Sequence, residues 1–257
     1  MKKILSLVLA AMMLMACVSC GGGKVADVQA VKDAGKMIIG ITEYAPMNYQ
    51  ENGEWTGFDT EFAQKVCEKL GVTAEFIVID WDNKILELDS KGIDAVWNGM
   101  TITDEVKNGM SVSNAYVKNA QVVVMAADAV ANYADAASMA DLTFAVEAGS
   151  AGEAAAADAG LANVTAVVDQ ATALMEVASG SVDACVIDIT MANAMTGEGT
   201  SYTDLGYSVE LTTEEYGIGF RKGSDLAEEV NKIMAELIAD GTLPALAEKY
   251  GLTLAAN

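Results

Sequence analysis

The order of apolar and amphipathic segments between residues 36 and 97 restricts the fold more than any other feature. Three short apolar runs are typical of buried strands: residues 36–42, 72–79 and 93–97. Between the first two, apolar side chains recur at every fourth position, at Phe58, Phe62, Val66 and Leu70. This spacing predicts an amphipathic helix, and a second helix is expected to end at Gly92. A βαβαβ order favours an α/β fold with a mainly parallel sheet and helices on both faces.

The second half of the chain repeats this order. Residues 142–147 and 164–168 are predicted strands, and each is followed by a predicted helix. The segment 91–96 (KGIDAV) is similar to the segment 179–185 (SGSVDAC), and each follows a helix and enters a strand and a polar turn. Two such segments at the same place in two βαβαβ runs predict two similar lobes.

A candidate binding loop follows the strand at residues 93–97. Its sequence, Asn98-Gly99-Met100-Thr101, leads into an acidic helix start at Asp104. A helix N-terminus leaves several backbone N–H groups without partners, and these groups can cradle an anionic or polar ligand group. The alternative is an ordinary strand-to-helix loop with no ligand.

The first 23 residues have the composition of a lipoprotein signal peptide with a tether. Lys2 and Lys3 precede an almost uninterrupted apolar run, residues 4–16, which is too short to span a bilayer comfortably. The run ends in LMACVSCGGG, where Leu-x-Ala-Cys resembles a bacterial lipobox. Cys17 fits the preceding positions better, whereas Cys20 precedes a flexible glycine stretch, so both are candidates for lipidation and membrane anchoring. The alternative is an ordinary cleaved signal that leaves a free secreted protein.

Composition excludes several classes of function. The chain has no histidine, which removes Ser-His-Asp, Cys-His and imidazole–zinc chemistry. Its net charge of −22 argues against nucleic acid as a partner, because phosphate contacts need clustered Lys and Arg. Cys67 and Cys185 are isolated in the sequence, which argues against a disulfide framework or a metal site. We therefore expect neither a metal nor a cofactor.

Several segments in a fixed order resemble the polar amino-acid substrate-binding proteins of ABC importers, the bacterial extracellular solute-binding proteins of family 3. They are IIGITEYAPMNY, GEWTGFDTEFAQKVCEKLGV, IDAVWNGMTIT, the later Asp188, and YGIGFRKGSDLAEEVNKIMAELIADGTLPALAEKYG. The resemblance extends over about residues 37–251. It implies a two-lobed periplasmic-binding-protein type II fold, which closes on its ligand like a trap.

The resemblance also implies how the chain is divided. Lobe 1 is expected to comprise residues 25–126 and 217–257, and lobe 2 residues 127–216, joined by two crossover strands. The hinge would then lie near residues 125–126 and 215–216. A ligand that contacts both lobes favours the closed state, because some of its contacts exist only there. An ABC permease in the membrane would recognise that closed shape.

Nine ligand-binding positions follow from the resemblance: Tyr44, Trp81, Asn98, Gly99, Met100, Thr101, Ser150, Ala151 and Asp188. Tyr44 is expected to lie against an apolar or flat surface of the ligand, and Trp81 to form a second wall. Both have an alternative interpretation as ordinary core aromatics.

The polar positions are expected to hold the two charged ends of an amino acid. Gly99 and Thr101 would bind the α-carboxylate through backbone N–H and hydroxyl groups, with further N–H donors from Ser150 and Ala151. Asp188 would accept a charge-assisted hydrogen bond from the α-ammonium. Its alternative role is that of a helix cap.

One departure from the family pattern concerns the ligand carboxylate. The family usually places an Arg shortly after the Thr-Ile-Thr turn, where this chain has Val106. The only arginine, Arg221, lies in a segment that the family does not use for ligand. Lys107 is one residue away and lacks the planar fork of a guanidinium.

Two consequences remain open. Either the carboxylate is bound by N–H groups, Thr101 and a lysine such as Lys84 or Lys118, or the ligand is not a standard α-amino acid. Glu43 and Glu147 fall near the expected pocket, which leaves room for a cationic ligand.

Three functional hypotheses result. The first is a monomeric, lipid-anchored protein on the outer face of the membrane or in the periplasm, which delivers an amino acid or similar small polar solute to an ABC importer. The second is an enzyme on the same fold, similar to a cyclohexadienyl or arogenate dehydratase, which would need a carboxyl group of raised pKa in a dry cleft. The third is the ligand-sensing module of a receptor, against which the lack of an expected transmembrane segment counts.

Overall fold

Two β-sheets, each with helices packed against it, form two lobes. The structure is a computed structural model that describes residues 25–256. The expected signal peptide, with Cys17 and Cys20, lies outside the described residues.

The strands are, in chain order, β1 (Lys36–Ile41), β2 (Tyr49–Glu51), β3 (Glu54–Thr56), β4 (Thr73–Val78), β5 (Ala95–Thr101), β6 (Met110–Val112), β7 (Val117–Asn119), β8 (Gln121–Ala126), β9 (Thr143–Glu147), β10 (Asn163–Val167), β11 (Ala184–Asp188), β12 (Leu205–Glu210) and β13 (Glu214–Arg221). The α-helices are α1 (Asp27–Ala34), α2 (Phe58–Leu70), α3 (Lys84–Asp89), α4 (Asp104–Gly109), α5 (Ala151–Asp158), α6 (Gln170–Ala178), α7 (Ile189–Met195), α8 (Leu226–Ala239) and α9 (Thr242–Lys249). Short 3₁₀ turns occur at Trp81–Asn83, Val130–Asn132 and Ala136–Met139.

The first sheet has the strand order β4-β1-β5-β13-β6, and β7 also pairs with β13. Strands β4, β1 and β5 are parallel, whereas β13 runs antiparallel to β5, β6 and β7. The second sheet has the order β10-β9-β11-β8-β12, with three parallel strands followed by two antiparallel pairings. The α/β class is therefore confirmed, and both sheets are mixed rather than wholly parallel.

The similarity between segments 91–96 and 179–185 corresponds to the same structural feature in both sheets. Asp94 accepts a hydrogen bond from Ile38 N–H at 2.9 Å, and Asp183 accepts one from Thr143 N–H at 2.8 Å. In each sheet the aspartate lies just before one parallel strand and accepts a hydrogen bond from a backbone N–H of its parallel neighbour. The aspartates thereby fix the register of β5 against β1 and of β11 against β9.

The chain passes between the sheets twice. After β7 in the first sheet it enters β8 in the second at Ala120, and it returns between β12 and β13 through residues 211–213. From the sequence, the boundaries were instead expected after residue 126 and after residue 216. The difference arises because β8 is buried along most of its length, a pattern that fits the interior of either sheet.

An aspartate in the first turn of α2 contacts the end of β5. Gly57 precedes α2 and Asp59 lies inside it, where its buried carboxylate accepts hydrogen bonds from Gly99 N–H at 2.6 Å and from the Tyr116 hydroxyl at 2.8 Å. Asp59 therefore connects the helix to the end of β5. Burial raises the pKa of Asp59 to about 7.

Candidate functional site

A cavity of about 190 Å³ lies where the carboxyl ends of β5, β9 and β11 come together. The ends of parallel strands are the usual ligand site in α/β sheets. Eight of the nine positions predicted from the sequence line this cavity, all except Tyr44. Its volume suits a small molecule.

The end of β5 forms one wall of the cavity, but some of its hydrogen-bond donors already bond other protein groups. The Gly99 N–H donates to Asp59, and the Thr101 hydroxyl donates to Glu214 Oε1 at 2.6 Å. The Asn98 side chain donates to Thr42 Oγ1 at 2.7 Å. These groups line the cavity, but the Gly99 N–H and the Thr101 hydroxyl are not free to bind a carboxylate as the sequence analysis expected.

The N-terminus of α5 forms the opposite wall. Ser150 is its N-cap, and the Ser150 hydroxyl oxygen accepts a hydrogen bond from Glu153 N–H at 3.1 Å. The Ser150 N–H donates to Glu147 O at 3.2 Å. The N–H groups of Ala151 and Gly152, in the first turn, have no acceptor within the helix, so this end of the helix favours an anionic group.

Tyr44 belongs to the core, as the alternative interpretation proposed. Its side chain is 1% exposed, and its hydroxyl bonds Thr190 Oγ1 at 2.5 Å and the Tyr216 hydroxyl. A Cβ atom added at Gly99 would lie 2.5 Å from Tyr44 Cε1. Tyr44 therefore supports the end of β5 from behind, without lining the cavity.

Trp81 lines the cavity together with Lys84. The Lys84 ammonium lies 5.1 Å from the centroid of the Trp81 ring and donates to Trp81 O at 3.2 Å. It also donates to Gly149 O at 2.8 Å, and this bond joins the two lobes across the cavity. Burial lowers the pKa of Lys84.

Asp188 ends β11 and is the most extensively bonded group in the cavity. Its Oδ1 accepts from Gln121 Nε2 and the Tyr216 hydroxyl, both at 2.9 Å, and from Asn119 Nδ2. Its Oδ2 accepts from Gln170 Nε2. Asp188 occupies the N-cap position of α7, as the alternative interpretation expected, but its side chain makes no cap bond to the helix.

A second carboxylate, Glu214, shares these donors. Asn119 Nδ2 and Gln121 Nε2 each donate to Glu214 Oε1 at 2.7 Å as well as to Asp188. Both amides lie next to the first crossing between the sheets. Burial, and then the nearby charge of Glu214, raise the pKa of Asp188.

Glu147, at the end of β9, is a third acidic group at the site. It is 3% exposed, lines the cavity, and its Oε1 has no hydrogen-bond partner among the described residues. Burial, followed by the charges of Asp188 and Asp169, raises the pKa of Glu147 to about 8. From the sequence alone, Glu147 was expected only to fall near the pocket.

The other residues considered as possible partners of the ligand's charged groups lie in different places. Val106 lines the cavity, so the place of the family's arginine is apolar here. Arg221 is buried in ion pairs with Asp27 and Asp94, each at 3.3 Å, and stabilises the first lobe. Lys118 and Glu43 do not line the cavity. Lys118 instead lies in a separate groove of about 420 Å³ beside the first crossing.

Sequence reasoning missed Gln170, which lines the cavity at the start of α6. Its amide donates to Asp188 Oδ2, and its Oε1 accepts from Asp188 N–H at 2.9 Å. Only its position directly after the N-cap Asp169 distinguishes it in the sequence. Its partner lies 18 residues later, so no local motif connects the two.

The buried carboxyl groups are expected to make the protein less stable as the pH rises. Glu147 and Asp59 have native pKa values of about 8 and about 7, against about 4 in an unfolded chain. The native protein therefore binds protons more tightly, and the free energy of unfolding without ligand should fall by on the order of 6 kcal/mol from pH 5 to pH 8. Urea unfolding at the two pH values measures this. Equal or greater stability at pH 8 would contradict the burial of these groups.

Comparison with known proteins identifies the family that the sequence resembles, along nearly the whole described chain. Residues 37–253 match the bacterial extracellular solute-binding proteins, family 3. The L-cystine-binding protein TcyJ of Escherichia coli (strain K12) is 31% identical over 224 residues, covering 86% of this chain and 84% of TcyJ. The arginine-binding extracellular protein ArtP of Bacillus subtilis (strain 168) is 30% identical over 261 residues, covering 97% and 98%.

Solved structures agree with the fold. The crystal structure of the P235GK mutant of ArgBP from T. maritima superposes with a TM-score of 0.81 at 30% identity, covering 87% of this chain and 98% of that one. Within residues 25–256, no helix is long and apolar enough to cross a bilayer. The curated relatives are named for amino-acid binding and not for an enzymatic activity. The chain therefore belongs to the bacterial extracellular solute-binding proteins of family 3 and has their two-lobed α/β fold.

Proposed function

We propose that this protein is a lipid-anchored extracellular substrate-binding protein that captures an amino acid in the cavity between its lobes and delivers it to an ABC importer. The observation that carries the proposal is the meeting of Asp188 with the N-terminus of α5 across one small cavity. A carboxylate and a set of backbone donors, held on different strands and helices, are complementary to the two charged ends of a zwitterion.

The ligand ammonium is assigned to Asp188 Oδ2. Each carboxylate oxygen accepts about two hydrogen bonds. Oδ1 already accepts three from the protein, whereas Oδ2 accepts only the one from Gln170. Oδ2 therefore keeps capacity for a donor in the cavity.

The ligand carboxylate is assigned to the first turn of α5, through Ala151 and Gly152 N–H and the Ser150 hydroxyl, whose proton remains available. A further donor is the Thr101 N–H. Ile102 N–H donates to Glu215 O at 3.0 Å, and N–H groups alternate along an antiparallel strand, so the Thr101 N–H points away from β13. These donors take the place of the arginine that Val106 replaces.

The lobes are proposed to move about the two crossings. Lobe 1 would contain the first sheet and lobe 2 the second, with hinges at Ala120 and residues 211–213, in place of the boundaries expected from the sequence. Ligand binding would favour the closed arrangement that Lys84 and Gly149 already make across the cavity. The permease would recognise this closed monomer.

The lipid anchor is proposed at Cys17 or Cys20. It would hold the lobes close to the importer on the outer face of the membrane, or in the periplasm. Mass spectrometry of the N-terminal peptide from membrane-extracted protein would show acyl chains on one of these cysteines. An unmodified N-terminus on secreted protein would refute the anchor without affecting the binding function.

A thermal-shift screen tests the binding function. A ligand that binds only the native protein raises the melting temperature by mass action, adding about 2.7 kcal/mol of stability at 100 times its Kd. We expect at least one of the common L-amino acids, each at millimolar concentration, to raise the melting temperature of the mature protein by several degrees. Purification from a source free of amino acids, or partial unfolding and refolding, removes ligand carried along. No shift with any amino acid after that treatment would refute the proposal.

A further inference from the structure

Glu147 has a buried acceptor that the amino-acid zwitterion does not use. Its side chain is 3% exposed and borders the cavity, and its Oε1 has no hydrogen-bond partner within residues 25–256. Buried polar atoms are nearly always hydrogen-bonded, and an unbonded carboxylate oxygen is among the most costly exceptions. A donor from a molecule in the cavity would remove that cost.

Within residues 25–256, the protein leaves this oxygen without a donor. Lys84 is the lysine that lines the cavity, and its ammonium donates to Trp81 O and Gly149 O instead. It makes no ion pair with Glu147 within 4.0 Å in the described part of the chain. The Gln170 amide favours the ionised form of Glu147, and it also donates to Asp188 Oδ2. Glu147 Oε1, next to the ligand space, still has no hydrogen-bond partner among the described residues.

Acidic side chains outnumber basic ones around the cavity, which also favours a cationic group on the ligand. Among residues 25–256, the acidic side chains that line the cavity are Glu105, Glu147 and Asp188, and the basic one is Lys84. The ammonium of a neutral zwitterion can neutralise one buried carboxylate, while its own carboxylate adds another negative charge. Burial raises the pKa of Glu147, and a second cationic nitrogen beside it would favour its ionised form. The two opposite charges would then attract each other strongly in a region of low dielectric constant.

Resting on the proposed function, we propose that Glu147 binds a second cationic nitrogen of the ligand, so that the cavity selects amino acids carrying two positively charged nitrogen groups. Asp188 Oδ2 binds one of these groups and Glu147 Oε1 the other. The chemistry is shared by amino acids with a cationic side chain and by molecules made of two joined amino acids.

Calorimetric titration of the mature protein with matched ligands tests this selectivity. L-Arginine and L-citrulline have similar size and shape, but only arginine carries the side-chain charge. L-Ornithine and L-norvaline form a second pair. We expect the charged member of at least one pair to bind about 30-fold or more tightly than its neutral partner. Tighter binding of L-cystine than of L-arginine would indicate that the second nitrogen belongs to a second amino-acid unit.

The variant Glu147→Gln tests the residue itself. It should weaken binding of the preferred dicationic ligand by about 30-fold or more, while changing binding of the neutral partner by less than about threefold. Glu198→Gln removes the same charge from an exposed loop and should change neither. Circular dichroism and the melting temperature of each variant establish that it is folded.

Two other outcomes separate this inference from the function on which it rests. If the neutral ligands bind the wild-type protein as tightly as the charged ones, or if Glu147→Gln binds all ligands like the wild type, the role of Glu147 is refuted and amino-acid binding stands. If no amino acid binds the wild-type protein at all, the proposed function itself fails. The wild-type comparison requires no variant, so it remains decisive if Glu147→Gln does not fold.

Discussion

Replacing Asp188 with asparagine is expected to weaken amino-acid binding by about 30-fold to 5,000-fold. Removing one partner of a buried, hydrogen-bonded charge pair typically costs about 2–5 kcal/mol. The amide keeps the shape of the side chain but loses the charge that attracts the ligand ammonium. Calorimetry with the best ligand from the thermal-shift screen measures the effect. At a ligand concentration that just saturates the wild-type protein, the variant should largely lose the ligand-induced shift in melting temperature.

The fold should tolerate this change better than binding does. Burial and Glu214 disfavour the ionised form of Asp188, so a neutral side chain relieves part of that cost even as it disturbs the bonds from Asn119 and Gln121. Asp158→Asn, an exposed position at the end of α5, serves as the control and should bind like the wild type. An Asp188→Asn protein with unchanged affinity would show that the ligand ammonium lies elsewhere.

Replacing Gly149 with alanine is expected to weaken binding by about tenfold to 100-fold through a clash between the lobes. A Cβ atom at this position would lie 2.6 Å from Asp82 Oδ1 and 2.8 Å from Asp82 Cα. Gly149 and Asp82 belong to different lobes, so this contact exists only when the lobes are closed. Overpacking of this kind costs about 1–3 kcal/mol, and closure supplies the binding contacts.

Gly160→Ala is the matched control for this experiment. Gly149 and Gly160 both have positive φ angles, 67° and 77°, so each alanine carries a similar backbone strain of about 1 kcal/mol. A Cβ atom at Gly160 would have no neighbour within 4 Å. The two variants should therefore lose similar stability without ligand, whereas only Gly149→Ala should lose affinity. Equal affinities for both variants would contradict closure at this contact.

Much of the fold follows from local sequence, because helix and strand periods and the glycine-aspartate repeats are short-range signals. Asp94 and Asp183 show this well, since one similar segment predicts both lobes and both aspartates bond the neighbouring parallel strand. The sheet to which β8 belongs could not be predicted from local sequence, because an apolar strand pattern does not indicate which sheet the strand joins.

The candidate site was predictable in its position but less so in its bonding. The family resemblance identified the end of β5, the start of α5 and Asp188, all of which line the cavity. It did not reveal that Asp59 uses the Gly99 N–H or that Glu214 uses the Thr101 hydroxyl, since these partners lie 40 and 113 residues away. Hydrogen bonds across such separations depend on tertiary packing, which local patterns do not encode.

The importance of Glu147 could not be predicted from local sequence either, because it depends on tertiary packing. A glutamate at the end of a strand is ordinary in a chain with 37 acidic residues. It becomes distinctive only when the fold buries it against the cavity, with Asp188 nearby and Lys84 occupied by backbone carbonyls.

The most direct measurement is a crystal structure of the mature protein grown with the tightest-binding amino acid from the screen. The account predicts ligand density in the cavity, with one nitrogen within hydrogen-bond distance of Asp188 Oδ2 and the carboxylate at the first turn of α5. Density in the groove beside Lys118, or a cavity that stays empty while the ligand binds in solution, would contradict it.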